Sequence, residues 1–234
     1  MEQTIRAGFV GFGEINTPRE IIKRKCNEAR DLLKKNGLDI AETDPVSDDP
    51  KGKDVARAVS ELKEKDFDLL VVCLAGWIPS HAVIGVIDHF RHKPMLLWGL
   101  TGWQDGKSFV TTADQAGTTA MRKTMQDMGY RFKYVVNYLG EGPNMKKIMD
   151  FAVASAAASK LRGARIGMMG YRDMNLYATL HDGVSLRSRI GPEVEVFEML
   201  EMAQAMEKLD SKIVGDLIKD VQNRWTFEKP ADDE

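Results

Sequence analysis

The chain has 234 residues, 43% apolar and 29% charged, with a formal net charge of −2, which is the composition of a folded globular protein. Lys and Arg are interspersed with Asp and Glu, so there is no basic stripe for nucleic acid and no acidic tail, and no apolar run approaches the roughly 18 residues of a membrane span. No basic-then-apolar leader stands at Met1, and the two cysteines, Cys26 and Cys73, are too few for a disulfide framework; the expected compartment is the cytoplasm.

Ile5–Phe12 is an apolar run ending in Gly11-Phe12-Gly13 and reads as a first strand. Thr17-Pro18 then supplies an N-cap and a first helical position, and the helix reaches Asn36-Gly37 with lysines in its last turn. Leu38–Thr43 reads as a second strand, Asp44 to Gly52 as a loop, and Asp54–Lys65 as an amphipathic helix with Val55, Val59 and Leu62 on one stripe. Leu69–Leu74 is continuously apolar, the pattern of a central parallel strand covered on both faces.

The alternation continues with a helix over Ser80–Arg91, a strand over Pro94–Trp98, a helix over Asp114–Met128 closed by Gly129, a strand over Lys133–Asn137, and an alanine-rich helix over Asn144–Leu161. Such regular alternation predicts a parallel sheet with right-handed crossovers. At Gly163 the pattern restarts, with a strand over Ala164–Met169, a loop over Gly170–Asp173, a helix from Asn175, a strand over Glu193–Phe197 and helical segments to about Asn223. Two strands in this second unit are half of what a doubly wound layer needs to cover itself. The unit therefore reads as the start of a domain cut short at Asp232-Asp233-Glu234. The methionines Met199, Met202 and Met206 are spaced to face a core.

Ligands of open parallel sheets bind outside the carboxyl ends of the strands. The segments expected there are Gly13–Thr17, Gly76–Ser80, Gly99–Thr112, Asn137–Gly142 and, in the second unit, Gly170–Met174. Their Trp, Asn and Gly content suits polyhydroxylated ligands, because aromatic faces stack on C–H surfaces while amides bond hydroxyls. Gly11-Phe12-Gly13 lacks the third glycine of a dinucleotide fingerprint, Asn16 standing in its place, and is better read as a tight strand-to-helix turn. Asp88 and His92 share a helix face without an evident third metal ligand, and His181-Asp182 reads as a helix surface pair rather than a catalytic dyad. Trp77, directly after the buried strand, is placed to project over the ligand edge, although tryptophans more commonly serve packing.

Several stretches carry a family resemblance: Val10-Gly11-Phe12 with Pro18-Arg19-Glu20, Val72-Cys73-Leu74-Ala75-Gly76-Trp77, Trp98-Gly99-Leu100-Thr101-Gly102, Ala113-Asp114-Gln115-Ala116-Gly117, and Ile166 to Met174. In their order and spacing the chain resembles the N-terminal and middle domains of the L-fucose and L-arabinose isomerase family. The resulting expectation is an α/β protein with a doubly wound, flavodoxin-like three-layer domain over residues 1–162, followed over 163–234 by the beginning of a middle α/β domain. The resemblance implies an isomerase of carbohydrate metabolism, with a sugar substrate and a homo-oligomeric assembly. In that family Mn²⁺ polarises the substrate carbonyl and hydroxyl while carboxylates move a proton between C1 and C2. The family's metal ligands and catalytic bases lie beyond the counterpart of Glu234, so neither role is assigned to a residue of this chain. The substrate wall does carry over: Trp77 and Gln115 match first-domain positions that close a neighbouring subunit's active site, Asn16 matches loosely, and Met174 matches a pocket-lining methionine. Where arabinose isomerases place a histidine three residues after the glutamine, this chain has Thr118. The contrasting expectation is a non-catalytic α/β module that binds a sugar or another small ligand, since a fold does not dictate a function.

Overall fold

Every residue of Leu69–Leu74 (β3) and of Met95–Leu100 (β4) is buried, as strands covered on both faces must be. The computed structural model, which describes residues 4–137 and 141–226, sets them inside a five-stranded parallel sheet. Its other strands are Ile5–Phe12 (β1), Leu38–Glu42 (β2) and Phe132–Asn137 (β7), in the order β2-β1-β3-β4-β7. With the short hairpin strands Trp103–Asp105 (β5) and Ser108–Val110 (β6) set aside, this is the 2-1-3-4-5 order of the flavodoxin-like doubly wound fold. The chain divides into two compact units, Met1–Lys160 and Leu161–Glu234.

Alternation along the strands builds two separate cores in the first unit. Ala7, Phe9, Val71, Cys73, Leu96 and Trp98 face helices Arg19–Lys35 (α1) and Met145–Gly163 (α5). Val10, Phe12, Leu70, Val72, Leu74 and Leu97 face Lys53–Lys63 (α2), Ser80–Ile87 (α3) and Asp114–Asp127 (α4). Trp98 is wholly buried, so truncating it would cost about 3–5 kcal/mol.

The glycines ending β1 are packing devices. A Cβ on Gly11 would lie 2.2 Å from the Cys26 thiol, and one on Gly13 would lie 2.4 Å from Ile22 Cδ1. Helix α1 thus rests directly on the backbone.

Between β4 and α4, Trp103–Asp105 (β5) and Ser108–Val110 (β6) pair as an antiparallel hairpin in a stretch whose sequence predicts only a loop. The pairing of Asp105 with Ser108 leaves a two-residue turn, Gly106-Lys107, with Gly106 at φ 57°, which suits a primed hairpin turn. Three-residue strands of mixed polarity carry too little alternation to announce themselves.

In the second unit, Arg165–Met169 (β8) pairs in parallel with Glu193–Phe197 (β9), and Gly183–Arg189 (α6), Met199–Met206 (α7) and Ser211–Arg224 (α8) complete it. The helix expected from Asn175 begins instead at Gly183, with Asp182 as N-cap accepting from the Ser185 N–H. Met174 and Asn175 adopt φ 44° and 61°, which breaks the segment into two short 3₁₀ turns. The expected methionine core is absent as well: Met199 and Met206 are 70% and 60% exposed, because two strands offer no second layer to pack against.

Candidate functional site

The sheet order reverses between β1 and β3, so the crevice at their carboxyl ends is the switch point where doubly wound sheets hold ligands. Two loops meet there. The Glu14 N–H donates to Trp77 O at 2.8 Å, and a Cβ on Gly76 would stand 3.6 Å from Gly13 Cα. The Trp77 N–H donates to Thr112 Oγ1 at 3.0 Å, and the indole lies against Gly117 of α4, 3.3 Å from where a Cβ would be. Trp77 is thereby held at both backbone polar groups while its residue stays 36% exposed. It forms a fixed aromatic ledge.

Asp114 organises the neighbouring segment. Its Oδ1 accepts from Thr111 Oγ1 at 2.9 Å and from the Gln115 N–H at 3.0 Å, while Oδ2 accepts from the Gly102 N–H at 2.5 Å and from Lys25 Nζ at 3.1 Å. Lys25 also donates to Leu100 O at 3.0 Å. Both side chains of the ion pair are buried, with 6% and 1% exposure. Burial removes hydration from both charges, and the carboxylate's four donors compensate for that loss. Ala113, immediately before Asp114, sits at φ 59°, a conformation that strains any residue with a Cβ.

Gln115 is exposed at the first turn of α4, two positions before the Gly117 that meets the Trp77 indole. Asn16 is an exposed turn residue in the loop after β1, two residues beyond the Glu14 that bonds Trp77. Met174, 76% exposed, belongs to the second unit. Thr118 is fully buried: its hydroxyl donates to Asp114 O at 2.8 Å, and its methyl fills the space beside Gly99. In this chain that position faces the sheet and not a ligand.

A cleft of about 480 Å³ opens on the other side of the β5–β6 hairpin, between α1 and the carboxyl ends of β4 and β7. Its lining includes Arg24, Lys25, Glu28, Trp98, Trp103 and Asn137, and none of Asn16, Trp77 or Gln115. In the loop Asn137–Gly142, residues 138–140 lie outside the described residues. Sequence reasoning placed Gly99–Thr112 and Asn137–Gly142 at the ligand edge, but it did not foresee that they form one cleft with α1, and it missed the Lys25–Asp114 pair. One signal was present, since Lys25 follows Ile22 by three positions and precedes Ala29 by four, in register with a buried stripe.

Several other ionisable groups have structural partners. Asp88 accepts from Tyr130 Oη at 2.8 Å and pairs with Arg91 at 3.5 Å. Burial, reinforced by Asp88, pushes the Tyr130 phenol up to about 12. Asp182 is held below the usual carboxylate range by the hydroxyl and N–H of Ser185, the role of a cap and not of a dyad member. Burial pushes the Cys73 thiol well up, and contact with Cys26 adds to this. Among the described residues, no three His, Cys, Asp or Glu side chains converge on a point that could hold a metal ion. They do not fit Mn²⁺, which needs several convergent oxygen or nitrogen donors. No described helix is long and apolar enough to cross a membrane. No family model matches the chain, and neither does any curated protein.

Proposed function

We propose that the chain supplies one wall of a sugar site in an aldose–ketose isomerase resembling the L-fucose and L-arabinose isomerases, acting in the cytoplasm as part of a homo-oligomer. The observation that carries this reading is Trp77, half-exposed at the topological switch point and fixed at its N–H, its carbonyl and its ring. An aromatic face held rigidly at a sheet's ligand edge stacks on a sugar's C–H surface without ordering cost, and in this reading the exposed amides of Gln115 and Asn16 bond its hydroxyls. The ledge is open, so a second surface must close it. In this reading that surface comes from a neighbouring subunit. Mn²⁺ would supply the polarisation of the sugar's oxygens, held by groups other than the described residues. The residues of this chain bind and orient.

The test is saturation-transfer NMR with L-fucose and L-arabinose on the chain, on Trp77→Ala and on Gln115→Ala. The sugar contact should weaken in both variants, and contact unchanged in both would overturn the wall. Light scattering should show association that rises with concentration. A strict monomer at every concentration would count against a subunit-shared site.

The cleft beneath the hairpin favours a second reading, a non-catalytic module that binds a small ligand. Aldose turnover by this chain with Mn²⁺ that disappears in His92→Ala or His181→Ala would exclude that module and relocate the chemistry.

A further inference from the structure

We infer that the cleft between α1 and the carboxyl ends of β4 and β7 is a binding site in its own right, for a neutral polyhydroxylated molecule of monosaccharide size. Its volume of about 480 Å³ falls in the range of small-ligand pockets, and it sits at strand ends, where parallel sheets hold ligands. It is also built internally. The Trp98 indole, itself wholly buried, donates its N–H to Asn137 Oδ1 at 2.8 Å. That bond occupies the amide oxygen and leaves the Asn137 NH₂ as the group free to donate to a ligand. Thr101 Oγ1 donates to Asn137 O, so the hydroxyl's lone pairs remain available as acceptors. A donor and an acceptor on two residues joined by a hydrogen bond match the neighbouring hydroxyls of a polyol.

The apolar component is Trp103, a half-buried indole at the start of the hairpin. Its ring is steadied by the Lys25 ammonium, 5.8 Å from the centroid. Lys25 in turn is neutralised by Asp114. The lining also carries Glu28 and Glu141, which offset the charge of Arg24. The cleft thus has no positive excess for phosphate or carboxylate, and its chemistry selects a neutral ligand. This inference does not depend on the Trp77 wall, since the two surfaces share no side chain.

The four tryptophans, Trp77, Trp98, Trp103 and Trp225, give four indole N–H signals, each assignable by single substitution. The experiment is a ¹H–¹⁵N titration of the chain with L-arabinose, L-fucose, D-mannitol and D-glucose 6-phosphate. For at least one neutral probe, the Trp103 and Trp98 signals should move together and saturate, and Trp103→Ala should weaken that binding about tenfold. Asn137→Leu should do the same and is the second variant if Trp103→Ala fails to fold. Glucose 6-phosphate should bind no more tightly than the neutral probes. Static Trp98 and Trp103 signals with all four probes would overturn the inference. So would shifts confined to Trp77, which would instead locate the sugar on the edge ledge. Tighter binding of the phosphate would overturn the assignment to neutral ligands.

Discussion

Lys25 and Asp114, 89 residues apart in the chain, meet at 3.1 Å in an almost fully buried ion pair that ties α1 to the first turn of α4. Removing the lysine alone strands a carboxylate away from water. Lys25→Met should therefore destabilise the first unit by about 3–5 kcal/mol in denaturant unfolding. A loss below about 1 kcal/mol would mean that the pair behaves as a surface contact.

Trp77 lies between solvent and Gly117, so it should behave unlike Trp98. Trp77→Ala should cost clearly less than the ~3–5 kcal/mol expected of a core tryptophan, while sugar contact falls. Gly117→Val should displace the indole and mimic the loss of contact with the ring still present, since a Cβ there already stands 3.3 Å from it. A large fall in stability with unchanged sugar contact would mark Trp77 as a packing residue.

Tyr130 should remain protonated in alkali well beyond the ordinary phenol range. Its folded value of about 12 lies above the ordinary phenol value near 10, so its contribution to stability is intact below about pH 10 and is lost as pH rises towards about 12. Phenolate absorbance should show one late transition that is missing in Tyr130→Phe. Asp88→Asn should move that transition down. If Tyr130→Phe removed no late transition, the buried contact would be contradicted.

Cys26 and Cys73 face each other across Gly11, which pairs with Cys73 in the β1–β3 register and carries the Cys26 thiol over its backbone. Both are buried, and Cys73 is held in the thiol form. Iodoacetamide should label neither in the folded chain and both after denaturation. Gly11→Ala should destabilise strongly, and Cys26→Ala should recover part of the loss, because the added methyl collides with that sulfur. Rapid labelling of native Cys73 would refute this packing.

The sheet was legible in the sequence because it is made of long apolar runs. Leu69–Leu74 and Ile5–Phe12 admit few alternatives, although Gly11 and Phe12, read as part of a turn, belong to β1 and the chain turns only after Gly13. What escaped were features that depend on distant residues meeting. The hairpin at Trp103–Val110 is too short for a pattern, and the Lys25–Asp114 pair joins segments whose proximity only the folded sheet creates. The helix expected from Asn175 failed because propensity carried no sign of two successive left-handed residues. The Met199–Met206 spacing was helical as read, but periodicity says which face is apolar and not whether anything covers it. For the candidate wall, sequence located Trp77 and Gln115 near the strand ends. It could not show that hydrogen bonds fix the ledge, or that a separate cleft lies across the hairpin.

The strand order also sets a timetable for synthesis. β1 lies between β2 and β3, so when residues 1–42 have left the ribosome only one of its edges can be satisfied. The other edge, together with Phe9, Val10 and Phe12, waits until Leu69–Leu74 emerges, and at roughly 5–20 residues per second that interval is seconds long. During it, an apolar strand with a free edge is open to pairing with another nascent chain. Codon changes that slow translation between α1 and β3 should therefore lower soluble yield, whereas the same changes placed after β4 should not.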